Sequence, residues 1–569
     1  MVIVIAISIG CERQASDEVS PAPTTEATTA AAPVVDDVWF EQVAAESGVD
    51  FTLRSGHDEH YYLPEGVCGG AALFDMDSDG DLDLYLVQAG SITARSNERE
   101  PNRLFRNDGR GVFEDVTVGS GADDRGYGMG VACGDYDNDG DVDLYITNLG
   151  ANVLLRNDGA GRFTDVTCQT GTGHLGFGAS AAFVDYDQDG DLDLFVTNYV
   201  EWSVDIAFFC YNAKGVLDYC KPTNFEAPAQ DVLYQNQGDG TFVDVTTSAG
   251  LDTFSGTGLG VVCRDFTGDG WIDIFVANDG MRDQLWANRG NGTFVDIALR
   301  AGCAYDNDGI AKAGMGVTAA DIDDDLDFDL LVCNLGGESD SFFLNLGTSG
   351  FADSTARGGL GVRSRPFTRF GMAWIDFDND GYLDLFQANG RIERKAHTFA
   401  NDAYAEPNLL MRGGDGPRFD PIETADGTAD PLIHTSRAAA FGDIDNDGDV
   451  DIIVVNRDGP AYVMRNVVGD RNNWIMLRVV DASGRDAIGA TLFMSVGGRR
   501  IARAVSTAYS YLASNDPRVH VGLGSHDTAE EVTVRWIDGE LQSFGDLTTN
   551  QIITLRRGNS RMPAQLPGN

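Results

Sequence analysis

Residues 135–147 read DYDNDGDVDLYIT. A run of aspartates around a single glycine leads directly into an apolar, β-branched stretch. Gly140 permits a sharp bend, and DLYIT has the composition of a buried strand. The same acidic nonamer begins at Asp75 (DMDSDGDLD), Asp185 (DYDQDGDLD), Asp265 (DFTGDGWID), Asp321 (DIDDDLDFD), Asp376 (DFDNDGYLD) and Asp443 (DIDNDGDVD), seven copies in all. In chain order these are loops 1 to 7.

A second element follows most copies. NDGRGVFEDVT starts at Asn107, NDGAGRFTDVT at Asn157, NQGDGTFVDVT at Asn236, NRGNGTFVDIA at Asn288 and a weaker NLGTSGFADST at Asn345. Asn and Gly give a tight turn, and the alternating F-x-D-V-T gives a strand. One unit therefore reads as four strands; in the second these are residues 129–133, 143–147, 153–156 and 162–167. Four-stranded sheets repeated around an axis make a propeller. The final unit, residues 438–466, lacks its own fourth strand, whereas Phe40–Val43 (FEQV) is a fourth strand with no unit before it. We expect the N-terminal strand to close the ring and remove an exposed edge. The predicted fold is all-β, a seven-bladed propeller followed by a small all-β domain.

The loops suit a hard cation. Ca²⁺ takes six to eight oxygen ligands, and carboxylates supply them. The candidate ligands are Asp75, Asp77, Asp79, Asp81 and Asp83 in loop 1; Asp135, Asp137, Asp139, Asp141 and Asp143 in loop 2; and Asp185, Asp187, Asp189, Asp191 and Asp193 in loop 3. Loop 4 offers Asp265, Asp269 and Asp273, with Thr267 in place of the second acid. Loop 5 offers Asp321, Asp323, Asp325 and Asp329, with Leu326 where glycine belongs, a source of backbone strain. Loop 6 offers Asp376, Asp378, Asp380 and Asp384; loop 7 offers Asp443, Asp445, Asp447, Asp449 and Asp451. EF-hands begin similarly but need a glutamate at position 12 and flanking helices. Position 12 here is Leu86, Ile146, Val196, Val276, Val332, Gln387 or Val454. We expect β-hairpin calcium sites, up to seven of them.

Composition agrees. The chain has 569 residues and a formal charge of −49. Such a surface repels nucleic acid and anionic lipid, and packed carboxylates call for bound cations. MVIVIAISIG followed by Cys11 reads as the end of a secretory signal with a lipobox, making Cys11 a lipidation candidate. Residues 12–37, rich in Ser, Thr, Ala and Pro, read as a tether. We place the propeller at 38–468, the C-terminal β-domain at 469–558 and a tail at 559–569. The protein is expected to be exported, to the cell envelope or the medium, touching membrane only through the lipid. Of nine cysteines, Cys210 and Cys220 share one long loop and form the expected disulfide.

The D-x-D-x-D-G-x-x-D loops resemble FG-GAP or VCBS repeats. NWIMLRV (473–479), AIGA (487–490), residues 509–515, HVGLG (520–524) and VTVRWIDG (532–539) resemble the ASPIC/UnbV domain of the cartilage acidic protein-like family. Ile537 stands where that family often has proline. The resemblance implies an extracellular calcium-binding protein concerned with adhesion or matrix contact.

In such a ring the acidic loops share one face, and the longer insertions share the other. Residues 199–231 carry Trp202, Cys210, Cys220 and further aromatics. Basic residues also gather in the links of that face, among them Arg125, Lys312, Arg365, Arg369, Arg391, Arg394, Lys395 and Arg437. Arg125, Lys312, Arg369, Arg437 and Trp202 are the candidate ligand-face residues, for an extracellular protein or glycan. Asn148, Asn198, Asn278, Asn334, Asn389 and Asn456 recur just after the second strand and are expected to shape turns. No catalytic motif is present; His57 and His60 in HDEH are a weak metal or base candidate. Binding is therefore the expected role, with a lyase or hydrolase acting on acidic polysaccharide as the alternative.

Overall fold

A computed structural model describes residues 38–395, 397–422, 424 and 426–559, with the backbone of Met562–Pro563. Cys11, the signal segment and the tether lie outside the described residues.

The strand pairings give seven four-stranded antiparallel sheets. Sheet 2 is typical: Tyr127–Gly134, Asp143–Ala151, Val153–Asn157 and Phe163–Asp165 pair in sequence order. The fourth strand is shorter than the sequence suggests, because Thr167 begins a helical turn, Thr167–Thr170. The first strand of each sheet packs against the first strands of its two neighbours, and sheet 7 packs on sheet 1. The sheets thus form a closed ring, a β-propeller. The second strands are buried, as in DLFVTN of Asp193–Asn198, apart from the emerging end of Asp143–Ala151.

The N-terminal strand does close the ring. Phe40–Gln42 pairs antiparallel with Tyr462–Asn466, placing Phe40 opposite Asn466. Trp39 and Phe40 are buried there against Leu410, Phe386 and Phe441.

A repeated asparagine latches sheet to sheet. Asn157, ending a third strand, donates from Nδ2 to the Val142 carbonyl of its own loop (3.2 Å) and to the Met76 carbonyl of loop 1 (2.8 Å). Asn236, Asn288 and Asn345 reach back in the same way to Tyr136, Tyr186 and Phe266. Asn466 reaches Phe377, and Asn107 reaches Ile444 in loop 7, which carries the chain of latches across the seam between first and last sheets. Sheet 6 breaks the pattern. Its third strand ends at Arg412, followed by Gly413, so no asparagine crosses to loop 5.

Behind the ring, Asn473–Val480 lies between Val519–Gly524 and Ile552–Arg556 in one sheet. Arg499–Ala504, Thr491–Val496, Thr528–Arg535 and Leu541–Thr548 form a second. Ile475, Leu477, Leu492, Val521, Val534 and Trp536 fill the core between them. The turn between Thr491–Val496 and Arg499–Ala504 is Gly497-Gly498, both at positive φ, as a tight hairpin requires.

The segment leaving this domain after Ala504 enters the middle of the ring. Ser510 Oγ donates to the Ala439 carbonyl (2.8 Å) and accepts from Met372 N (3.0 Å). Leu512 N donates to Ser180 Oγ, and Cys133 N to Ser514 Oγ. Ala513 pairs in parallel with Ala71, and Ser510 bridges to Val317. Tyr511 is fully buried against Phe370 and donates to the Val67 carbonyl (2.7 Å). One short segment therefore touches six of the seven sheets and fills the channel. Ser510 and Leu512 hold φ of 79° and 54°, a strain that only surroundings packed this closely can maintain.

Candidate metal centres and the face opposite them

Each loop folds its carboxylates inward. In loops 1, 2, 3 and 6, one oxygen each from positions 1, 3 and 9 converges within 4.8 Å: Asp75, Asp77 and Asp83; Asp135, Asp137 and Asp143; Asp185, Asp187 and Asp193; Asp376, Asp378 and Asp384. In loop 5 the set is Asp321, Asp323 and Asp325. Position 1 is fixed by the glycine turn; Gly140 N donates to Asp135 Oδ2 (3.0 Å). Position 5 caps position 7; Asp141 N donates to Asp139 Oδ1 (3.0 Å). Position 9 uses both oxygens on the backbone. Asp143 accepts from Asn157 N (2.8 Å) and Tyr136 N (3.0 Å), and so ties the loop to the next hairpin.

What remains points to a cation. The Oδ1 atoms of Asp75, Asp77, Asp137, Asp185, Asp187, Asp321, Asp323 and Asp445 are buried and have no hydrogen-bond partner. Orphaned buried carboxylate oxygens are costly, and a hard divalent ion is the partner that oxygen clusters fit. Burial pushes Asp185 up to about 7, Asp193 to about 9 and Asp83 to about 8. Without a counter-ion the clusters resist ionisation; a bound divalent charge reverses that. In loop 4 the Thr267 hydroxyl occupies position 3 and is likewise unpartnered. Leu326 of loop 5 sits at φ 77°, the strain its position implies.

At position 7, Asp81 Oδ1 accepts from Asn446 of loop 7 (2.7 Å), Asp191 from Asn138 of loop 2 (2.6 Å) and Asp449 from Asn379 of loop 6 (2.8 Å). These side chains couple neighbouring loops.

The C-terminal domain covers this face with arginines. Arg535 meets Asp265 of loop 4 (3.2 Å), and Arg478 lies 3.8 Å from Asp75 of loop 1. Arg485 donates to Asn138 of loop 2, and Arg518 to the Asp443 carbonyl of loop 7. Arg499 chelates Asp324 of loop 5 (2.8 and 3.1 Å) and donates to the Gly381 carbonyl of loop 6 (3.0 Å). It therefore spans the one seam that has no asparagine latch. Sequence reading missed this role, since isolated arginines in a β-domain carry no pattern that names their target.

On the opposite face the structure rejects two ligand candidates. Arg369 and Arg437 are fully buried. Arg369 pairs with Asp340 (2.8 Å), and Arg437 donates to the carbonyls of Gly66, Gly390, Ser436 and Arg391. Their charge holds links together and no ligand can reach it. Lys312 is nearly enclosed beside Ser339 and Asp340, and Arg125 donates to the Arg99 carbonyl. Trp202 is half-buried and edge-on to Tyr62 at 5.7 Å. Cys210 and Cys220 are joined in a disulfide. Asn148, Asn389 and Asn456 donate to the carbonyls of Ala151, Pro407 and Pro460, closing turns. His57 Nδ1 lies 2.9 Å from Glu65, which is buried, whereas His60 pairs with Asp58 at the surface. The two histidines do not form a metal pair.

These features define a class: a closed β-propeller of repeated acidic hairpins with a small β-domain behind it. Residues 75–146, 135–196 and 265–332 match the FG-GAP-like repeat family, and residues 480–562 match the ASPIC and UnbV family. Similar proteins include cartilage acidic protein 1. The Xenopus tropicalis protein is 30% identical over 310 residues, covering 52% of this chain and 44% of its own length; the human protein is 32% identical over 314 residues, covering 53% and 44%. The chain thus spans less than half the length of the curated relatives it matches. Similar solved structures include an Agrocybe aegerita lectin recognising non-reducing terminal N-acetylglucosamine (TM-score 0.35, 17% identity, covering 69% of this chain and 86% of that one). They also include the exotype rhamnogalacturonan lyase YesX (TM-score 0.34, 13% identity, covering 70% and 61%). No helix among the described residues is long and apolar enough to cross a membrane.

Proposed function

We propose that this chain is an exported calcium-binding propeller that presents its insertion face to an extracellular protein or glycan, in adhesion or matrix contact. The observation that carries the reading is the set of orphaned, inward-facing carboxylate oxygens repeated around one face of the ring. Calcium there would neutralise the clusters and stiffen the hairpins that hold the sheets together. The C-terminal domain covers that face and its central segment fills the channel, so the opposite face is the one left for a partner. The Cys210–Cys220 disulfide on that face suits an oxidising compartment, and lipidation at Cys11 would tether the protein to a membrane. Isothermal titration of the metal-stripped full chain tests the reading: several calcium ions should bind at about 10⁻⁴–10⁻³ M, and magnesium should not replace them.

A second reading, an enzyme acting on acidic polysaccharide, has one arrangement in its favour. Buried Glu65 holds His57 Nδ1, leaving the other ring nitrogen of a part-exposed imidazole as a base. Release of unsaturated or reducing ends from polyuronate, lost in His57→Ala, would establish it.

A further inference from the structure

Four separate segments meet on the face opposite the loops. Residues 55–65 bring His57, Tyr61, Tyr62 and Glu65; the 199–231 insertion brings Tyr219 and Asp218; the 390–405 insertion brings Arg394 and Tyr404; the turn after Asp451–Asn456 brings Arg457. Tyr219 lies 5.2 Å from Tyr61 and 5.6 Å from Tyr404, ring centre to ring centre. Arg394 lies over Tyr61 (5.2 Å) and Tyr404 (5.7 Å), and Arg457 over Tyr404 (4.6 Å) and Tyr219 (5.3 Å).

The acids of the cluster are satisfied by neutral donors or by His57. Glu65 accepts from His57 and the Tyr219 hydroxyl. Asp218 accepts from the Tyr404 hydroxyl (2.8 Å) and the Arg394 amide (2.8 Å). Asp458 accepts from Ser55 N and Oγ, and Asp402 from Thr435 and Tyr404. Lys221 and Lys395 are taken up by Glu393. Neither guanidinium is hydrogen-bonded to a carboxylate. Arg394 meets only the hydroxyls of Tyr61 and Tyr404. Arg457 is 5% exposed, its Nε and Nη1 bond to nothing, and Asp458 at 3.7 Å is too far for a hydrogen bond. Cations held by ring faces keep their N–H groups for an incoming anion, and a guanidinium fork fits a carboxylate.

Beside them is a stack of aromatic rings. His60 stacks on Tyr62 at 5.2 Å with 4° between the rings, Phe209 stacks on His60 at 6.3 Å, and Trp202 stands edge-on to Tyr62. Phe209, at the end of the stack, is 56% exposed, and an open ring suits the C–H face of a pyranose better than an extended peptide.

We propose that this cluster is a binding site for a hexuronate residue of an acidic glycan, with Arg394 and Arg457 reading the carboxylate and the exposed Phe209 end of the ring stack carrying the sugar ring. The inference rests on the reading of this face as the ligand face. The test is calorimetry on the calcium-loaded full chain with trigalacturonate and its carboxyl-reduced, neutral trimer. The acidic trimer should bind, and the neutral one should bind at least about tenfold more weakly. Arg394→Gln should lower affinity for the acidic trimer about tenfold; Phe209→Ala should weaken both; Arg103→Gln, in the third strand of sheet 1, should change neither. Metal content and melting curves of the same samples report the calcium sites and the fold separately from this site. Equal affinity for the neutral trimer, no binding of the acidic trimer by calcium-loaded protein, no effect of Arg394→Gln, or equal competition by a poly-glutamate peptide would each overturn the assignment.

Discussion

The acidic face and the face opposite it are built at the two ends of the same strands, but by different means. The first is made by repetition. Seven near-identical hairpins place similar carboxylates at similar heights, and neighbouring loops are joined by Asn446 to Asp81, Asn138 to Asp191 and Asn379 to Asp449. The second is made by exception, from insertions of unequal length that occur once each. Repetition gives a scaffold whose charge must be balanced collectively. Exception gives a cluster of two arginines among tyrosines. On the proposed function, stability is assigned to one face and recognition to the other without the two competing for residues.

The largest effect should follow calcium removal. A site filled at one hundred times its Kd adds about 2.7 kcal/mol, so chelation should lower the melting temperature by several degrees for each site lost. Scanning calorimetry with and without chelator measures this, and a ligand-face variant such as Arg394→Gln should show the same drop as the parent.

Next, Asp185→Asn with Asp187→Asn should remove one ion from the stoichiometry. The calcium-dependent increment should shrink by about 2.7 kcal/mol, while the metal-free protein should be no less stable, because two orphaned buried oxygens lose their charge. Metal analysis and paired melting curves check both halves.

Asn157→Ala should cost about 1–3 kcal/mol by leaving the Met76 and Val142 carbonyls without their donor, read as a shifted denaturant midpoint. Arg499→Ala should cost less, on the order of 1 kcal/mol, since the ion pair is partly exposed. Its signature is local: faster hydrogen exchange in loops 5 and 6, at the seam without an asparagine latch.

The smallest effect on global stability should come from Cys210→Ser with Cys220→Ser. The disulfide closes a loop with a sequence separation of 10 inside one insertion, and such a loop can open locally without unfolding the ring, so the melting temperature should hardly move while exchange over residues 199–231 rises.

The same contrast explains how far the sequence could be read. Seven copies of an acidic nonamer fix the period, and Phe40–Val43 without a sheet of its own names its partner; Phe40 pairs with Asn466. The convergent carboxylates were legible because a cation needs that residue type at that spacing. The link from position 7 to the next loop was not, because it depends on an asparagine of that neighbouring loop. Residues 509–515 stood out as a motif, yet nothing in AYSYLASN says that it fills a channel; that follows only once six strands surround it. Arg369 and Arg437 were misread as surface because a basic residue in a link looks the same whether solvated or sealed over carbonyls.

The central claim is that the carboxylate clusters are cages for divalent ions that hold the ring together. Elemental analysis of the purified, folded full chain, equilibrated with calcium and then freed of unbound ion, tests it most directly. The account predicts several moles of calcium per mole of protein. A folded chain retaining essentially none would contradict it.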